Sequence, residues 1–411
     1  MRISYLHQYF HTPAMAGGTR SYEMARRLVQ DGHQVTMLTS RNAPSSSGRA
    51  RWEIEAIDGI DVHWLNLNYD NRMSYAKRLV VFIQFMVLAS LRAIRIGTDV
   101  VFASSTPLTI AVPAVVAKWR HGVPMVFEVR DLWPEVPIAL GALRPWPLRF
   151  AARRLEGFAY SNASHVIALS EGMAAGVERA GISRKQITVI PNACDNDLFA
   201  IPSLAGESFR RQRPWLGGRP LVVYSGTIGR VNGLNFLVDV AAAMRSIDSE
   251  VRFLVVGDGS ERDKVVTHAR SAGVLDETFF VEGRIPKDQV PALLSAATVC
   301  SSFVIPVPQL EANSANKFFD ALAARRPVVI NHGGWQADLI RDKRLGAVLP
   351  PTDPVGAARM LSDLLRDPSR LTTASREADE LATNVFARDA LAERLRLVLE
   401  TSVDDQSGPA K

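Results

Sequence analysis

Short apolar strands alternate with helical patterns along nearly the whole chain, and the alternation stops once, between Asn196 and Arg219, before it restarts. Strand–helix alternation folds as a parallel sheet with helices on both faces. One break in the middle implies two such sheets in tandem. The first half offers strands at Ile3–Leu6, Gln34–Thr39, Val62–Leu67, Asp99–Ala103, Met125–Glu128, His165–Ala168 and Thr188–Ile190. The second offers Leu221–Ser225, Val251–Val256, Phe279–Val281, Val299–Phe303, Val328–Asn331 and Ala347–Leu349. Pro202, Gly206, Pro214, Gly217 and Gly218 punctuate the break, which reads as a linker. The expected layout is an N-terminal Rossmann-like domain over 1–196, a linker over 197–219, a C-terminal Rossmann-like domain over 220–384, a helix over 385–401 returning to the first domain, and a disordered tail over 402–411. The fold class is α/β, two doubly wound parallel sheets facing a cleft, where ligands meet the carboxyl ends of the strands.

Composition narrows the function. The net charge of +6 attracts polyanions without choosing among phosphate, acidic lipid and nucleic acid. No aromatic–basic nucleic-acid motif accompanies it, so a nucleic-acid partner is not expected. Cys194 and Cys300 lack a CxxC or His neighbourhood, which argues against a metal site and suits packing thiols in a reducing compartment. Met1–Leu6 opens as a strand without a signal-peptide layout. The longest apolar run, Leu79–Leu91, is shorter than the ~20 residues that span a bilayer.

Chemistry-bearing residues gather at strand ends. His7 follows the first strand, and Gly17-Gly18-Thr19-Arg20 opens a helix whose N-terminus favours an anion. Glu128-Val129-Arg130-Asp131, with Glu135 beyond, ends an apolar strand with four ionisable groups. Such a cluster sits at a cleft mouth or forms a structural ion-pair knot. Gly226, Thr227 and Gly229-Arg230 end the first strand of the second half and suit a diphosphate, with Arg230 either a ligand or a solvated loop cation. Gly257 ends the next strand and leaves room for a base or ribose. Asn316 reads as a helix cap. Lys317 sits in the first turn, where the helix dipole alone prefers an anion, so a docked anionic ligand explains it. Asp320 shares its face by i, i+3 spacing and suits ribose hydroxyls; the alternative is a local Lys–Asp pair. Past the strand at Val328, His332-Gly333-Gly334-Trp335 offers a further anion cradle and a ring for sugar or base.

Together the strings HQYF, GGTRSYE, EVRDLWPE, ALSEGM, IPNACD, SGTIG, NSANKFFDALA and NHGGWQADL resemble the GT-B glycosyltransferases of the retaining family four, and within it bacterial L-fucosamine transferases of O-antigen and capsule synthesis. The resemblance implies a UDP-sugar donor on the second domain, held by Gly17, Gly18, Gly226, Thr227, Arg230, Gly257, Asn316, Lys317 and Asp320. It implies catalytic roles for Arg130, Asp131 and Lys317, a sugar or acceptor side at His7, Glu128, Glu135 and Trp335, and transfer without a metal or other cofactor. The acceptor it implies is a lipid-diphosphate-linked saccharide at the inner face of the plasma membrane. Basic residues around the apolar run, over 77–95, and a second basic and aromatic stretch, over 143–154, suit that surface; a buried core helix is the other reading of the first. A nucleotide-sugar epimerase of similar fold and a non-catalytic basic surface binder are the alternatives.

Overall fold

Strands buried on both faces read as mostly apolar runs, and most interior strands here are of that kind. The computed structural model describes residues 1–15, 17–41, 51–67, 73, 75–202 and 204–407. Contacts divide the chain into two units, Met1–Pro191 with Asp389–Lys411, and Asn192–Arg388.

The first unit holds β1 (Arg2–Leu6), β2 (Gln34–Arg41), β3 (Trp52–Ile57), β4 (Ile60–Asn66), β5 (Val100–Ser104), β6 (Met125–Val129), β7 (His165–Ala168) and β8 (Ile187–Val189). Their order is β3-β4-β2-β1-β5-β6-β7-β8. Every pair is parallel except β3 with β4. The edge strand β3 is absent from the sequence reading because its side chains are largely solvated. Asp58 and Gly59, both at positive φ, make the tight turn that pairs it with β4. The chain leaves β1 for β2 on one side and returns to β5 on the other, so the switch point lies between β1 and β5. The loops after β1, β5 and β6 gather there.

The second unit holds β9 (Leu221–Ser225), β10 (Arg252–Val256), β11 (Phe279–Glu282), β12 (Val299–Ser302), β13 (Val328–Ile330) and β14 (Gly346–Val348), all parallel, in the order β11-β10-β9-β12-β13-β14. Its switch point lies between β9 and β12. Alternate side chains of β9 feed two cores: Leu221 and Val223 pack with Phe318 and Phe319, Val222 and Tyr224 with Leu237 and Phe253. Two parallel-sheet α/β domains are therefore present, as the alternation predicts.

The expected linker is structured. Helices Asn196–Phe199 and Ala205–Arg211 occupy it, Trp215 stacks on Phe280 at 3.7 Å between centroids, and Leu216 is fully buried in the second unit's core. Gly206 is there for closeness: a Cβ would stand 2.7 Å from the Ser295 backbone. The last helix, Arg388–Ser407, continues through the expected tail, with Ser402 buried and Gln406 Nε2 donating to the Gly122 carbonyl at 2.8 Å. From Asp389 onward it belongs to the first unit. Residues 408–411 lie outside the described residues.

Candidate functional site

In the second unit the site forms where the loop after β9 meets helix Asn316–Ala323. Gly226 has φ +143, and a Cβ on it would stand 2.7 Å from Lys317 Cε, so only glycine lets that side chain cross the strand end. Lys317 Nζ lies 5.1 Å from the Tyr224 ring centroid. Gly257 serves packing: its Cβ would stand 1.9 Å from the Gly226 carbonyl oxygen, and Gly226 N–H donates to the Val256 carbonyl at 2.9 Å. Thr227 and Arg230 are exposed, and Arg230 makes no ion pair among the described residues. Asn316 is exposed and is the first helical residue; Ala315 stands at the cap position, so the expected Asn316 cap is not formed.

Lys317 and Asp320 share one helix face, yet no salt bridge joins them, so the local-pair reading fails. Burial lowers the Lys317 ammonium to about 8, against the pull of Asp320. Burial, reinforced by Asp195, raises the Asp320 carboxyl to about 6 despite Lys287, Arg388 and Lys317. Both charges are held uphill, as in a site whose ligand brings an anion to the lysine and hydrogen-bond donors to the carboxylate. The sequence reading missed the cluster beside Asp320. Asp195 accepts from Arg388 Nε at 2.5 Å and from Lys287 Nζ at 3.2 Å. The Asp195 pairing with Arg388 spans 193 positions and has no local signature.

Trp335 does not present its ring to a ligand. It packs on Phe318, Phe319 and Phe386, and its Nε1–H donates to the Asn313 carbonyl at 2.8 Å. The cradle read at Gly333 and Gly334 is filled by the chain's own Glu311, whose carboxylate would stand 3.1 Å from a Cβ on Gly333.

In the first unit, Glu128 is also not free. Its Oε1 accepts from Arg20 Nε at 3.0 Å and Nη2 at 2.8 Å, and its Oε2 accepts from Ser104 Oγ at 2.6 Å. The Arg20 and Glu128 side chains are 1% and 0% exposed. Burial alone would raise the carboxyl; Arg20, Arg130 and Ser104 outweigh it and hold it below the usual range. This is the structural knot, and Arg20, noted only as part of a helix start, is its other half. His7 is likewise buried instead of facing a sugar. Arg130 is half-buried, Asp131 is exposed, and Glu135 is half-buried with Oε2 enclosed. Gly17, at φ +150, is crowded by His11, whose ring would meet a Cβ at 2.6 Å; Gly18 is half-buried. Among the described residues no group of three His, Cys, Asp or Glu is placed to hold a metal ion.

The two units thus each carry charged groups at the carboxyl end of a parallel sheet. Residues 16–193 match the glycosyl transferase 4-like domain, and residues 219–367 match the glycosyl transferases group 1 family. The chain is a GT-B glycosyltransferase. Among its relatives, the probable glycosyltransferase WbjE of Pseudomonas aeruginosa is 25% identical over 305 residues, 72% of this enzyme and 73% of that protein. The solved structure of Anabaena Alr3699/HepE in complex with UDP and glucose has a TM-score of 0.73 at 17% identity, covering 98% of this enzyme and 100% of that chain. Sucrose-phosphate synthase from Thermosynechococcus elongatus has a TM-score of 0.79 at 18% identity, covering 98% and 99%. The fold is common to this chain and both solved structures.

Proposed function

We propose that this glycosyltransferase moves a sugar, with retention of anomeric configuration, from a UDP-sugar to a lipid-diphosphate-linked saccharide in cell-surface polysaccharide synthesis. The observation that carries the reading is the unpaired Lys317 and Asp320 on one face of the helix that starts beside Gly226. Asp320 takes the ribose hydroxyls. Lys317, with Arg230 and the free N–H groups of the helix start, takes the diphosphate. The leaving diphosphate's charge is the main barrier term, so preorganised cations lower it directly, and no metal is needed. Arg130 and Asp131 serve the transferring sugar from the first unit. UDP is favoured by the resemblance and by the UDP complex of the fold neighbour. An N-acetylated amino-deoxyhexose, fucosamine in particular, rests on the resemblance alone. Calorimetry against UDP-, GDP- and dTDP-sugars tests the assignment. UDP-sugar should bind, and Asp320→Asn should weaken it by about 1.5–3 kcal/mol, the worth of one charge-assisted hydrogen bond. Equal affinity in the variant, or no nucleotide binding at all, refutes it.

The membrane part rests on helix Tyr75–Ala93. Val81, Phe85, Ala89 and Ala93 repeat every four residues and are buried. Leu79, Ile83, Val87 and Leu91 repeat with the same spacing on another face and are exposed. A helix apolar on its outward face needs a cover. Trp146, Leu148 and Phe150 are exposed at the start of helix Trp146–Asn162, with Arg154 over the Phe150 ring at 5.5 Å. Exposed apolar bulk on the same helix as the exposed Arg149, Arg153 and Arg154 suits an anionic bilayer surface. No helix among the described residues is long and apolar enough to cross a membrane. In flotation with phosphatidylglycerol-containing vesicles the protein should rise with the lipid, and Ile83→Glu with Trp146→Glu should leave it at the bottom. Undiminished flotation of the double variant ends the membrane reading.

A further inference from the structure

We propose that His7 is a positioning residue for the transfer reaction: it touches no substrate and instead fixes the guanidinium of Arg130 at the carboxyl end of β6. The hydrogen bonds leave one consistent assignment. Arg130 has only donors, so its Nη1–H donates to His7 Nε2 at 3.1 Å. The proton of the neutral ring is then on Nδ1, which donates to Ser21 Oγ at 2.6 Å. Arg130 Nη1 also reaches Ser21 Oγ at 3.4 Å, closing a triangle. The Arg130 backbone N–H donates to Ser105 Oγ at 3.0 Å, which pins the base of the side chain. The His7 backbone N–H donates to the Leu38 carbonyl at 3.1 Å, so the imidazole is carried on the sheet itself.

The ring's state agrees with this role. Burial first, then the charges of Arg130 and His11, hold the His7 pKa well below its ordinary value. A neutral imidazole accepts from a cation, and a protonated one would repel it. One guanidinium nitrogen is used in this way. Nε and Nη2 make no hydrogen bond among the described residues, and Arg130 has no carboxylate partner within salt-bridge distance. The side chain is therefore aimed from behind and left open in front. A guanidinium held on a buried acceptor loses little rotamer freedom when it engages an anionic group.

The inference rests on Arg130 facing the reacting groups, and the test separates the two. In steady-state transfer by the full chain, Arg130→Met should lose turnover strongly. His7→Leu should lower kcat by up to about 100-fold, the scale of a misplaced catalytic group, with the donor KM changed far less. His7→Gln, whose amide oxygen can stand where Nε2 does, should recover most of the loss. His7→Leu combined with Arg130→Met should be no worse than Arg130→Met alone. In 15N-histidine spectra, the His7 resonance pair should report a protonated Nδ1 and a bare Nε2, and Arg130→Met should move the Nε2 line. If Arg130→Met keeps wild-type turnover, the reading of Arg130 fails and this inference with it. If Arg130→Met is impaired but His7→Leu is not, only the positioning role is overturned. That role is also overturned if His7→Gln is as slow as His7→Leu. Should His7→Leu not fold, His7→Gln and the Nε2 line, unmoved by Arg130→Met, still decide against it.

Discussion

Glu128→Gln should destabilise the first unit by about 3–5 kcal/mol, the cost of leaving one charge of a buried pair without its partner. Glutamine has nearly the same shape. Its oxygen can still accept from Arg20, and its amide can donate to Ser104 Oγ where the carboxylate accepted. The change therefore removes charge and little else. Arg20 would keep its bonds to the Ile190 and Pro191 carbonyls, at 2.9 and 2.5 Å, but those neutral acceptors do not replace a carboxylate. Replacing both partners, Arg20→Met with Glu128→Leu, should recover much of the loss, because the desolvation penalty disappears together with the attraction. Urea unfolding read on a first-unit probe measures both. The first-unit probe is necessary because a chain of two units need not unfold in one step. A Glu128→Gln midpoint within error of wild type would mean that Arg20 finds its counter-charge elsewhere.

That pair also shows what the sequence yields and what it withholds. Buried strands such as β5, β6 and β9 are readable because both of their faces are covered and they are mostly apolar, Glu128 of β6 being the charged exception. The edge strand β3 obeys another pattern, with one pairing partner and solvated side chains, and only the Asp58-Gly59 turn signals it. Gly206 looks like a chain breaker, since glycine has the same letter in a loop and at a close approach of two helices. Around the candidate site, the face shared by Lys317 and Asp320 is a local fact of helical spacing, and it is visible in the string. The string cannot choose between the two readings of Glu128, or show what Trp335 packs on, because their partners are remote. Arg20 stands 108 positions before Glu128, and Phe386 lies beyond three further elements. A polar or aromatic residue at a strand end has the same appearance whether it faces a ligand or a distant side chain.

Lys317→Met should abolish most turnover, by about 10²–10³-fold in kcat, while leaving the ligand-free protein no less stable than wild type. The first half follows from the assigned role: removing one preorganised group that stabilises developing charge costs about that much. Methionine keeps an unbranched stem over Tyr224 and past Gly226, so packing is largely retained. The second half follows from the titration. Lys317 titrates at about 8 in the fold against 10.5 as the ordinary value. Between those values the unfolded chain binds more protons, so stability rises with pH across that window and the charge opposes folding below it. Asp320 is raised to about 6 from 3.8, so the fold binds more protons between those values and stability falls as pH rises through them. At neutral pH both groups are charged at the expense of stability, which a bound nucleotide diphosphate would repay. The wild-type kcat/KM profile should accordingly fall on the acid side near 6, as Asp320 is protonated, and on the alkaline side near 8, as Lys317 loses its proton. Lys317→Arg should retain measurable transfer and lose the alkaline limb, since a guanidinium stays charged throughout. A Lys317→Met enzyme with normal kcat would remove the cation from the leaving-group site. One with a lowered melting temperature as well as lost turnover would show that the lysine holds the fold instead of the ligand.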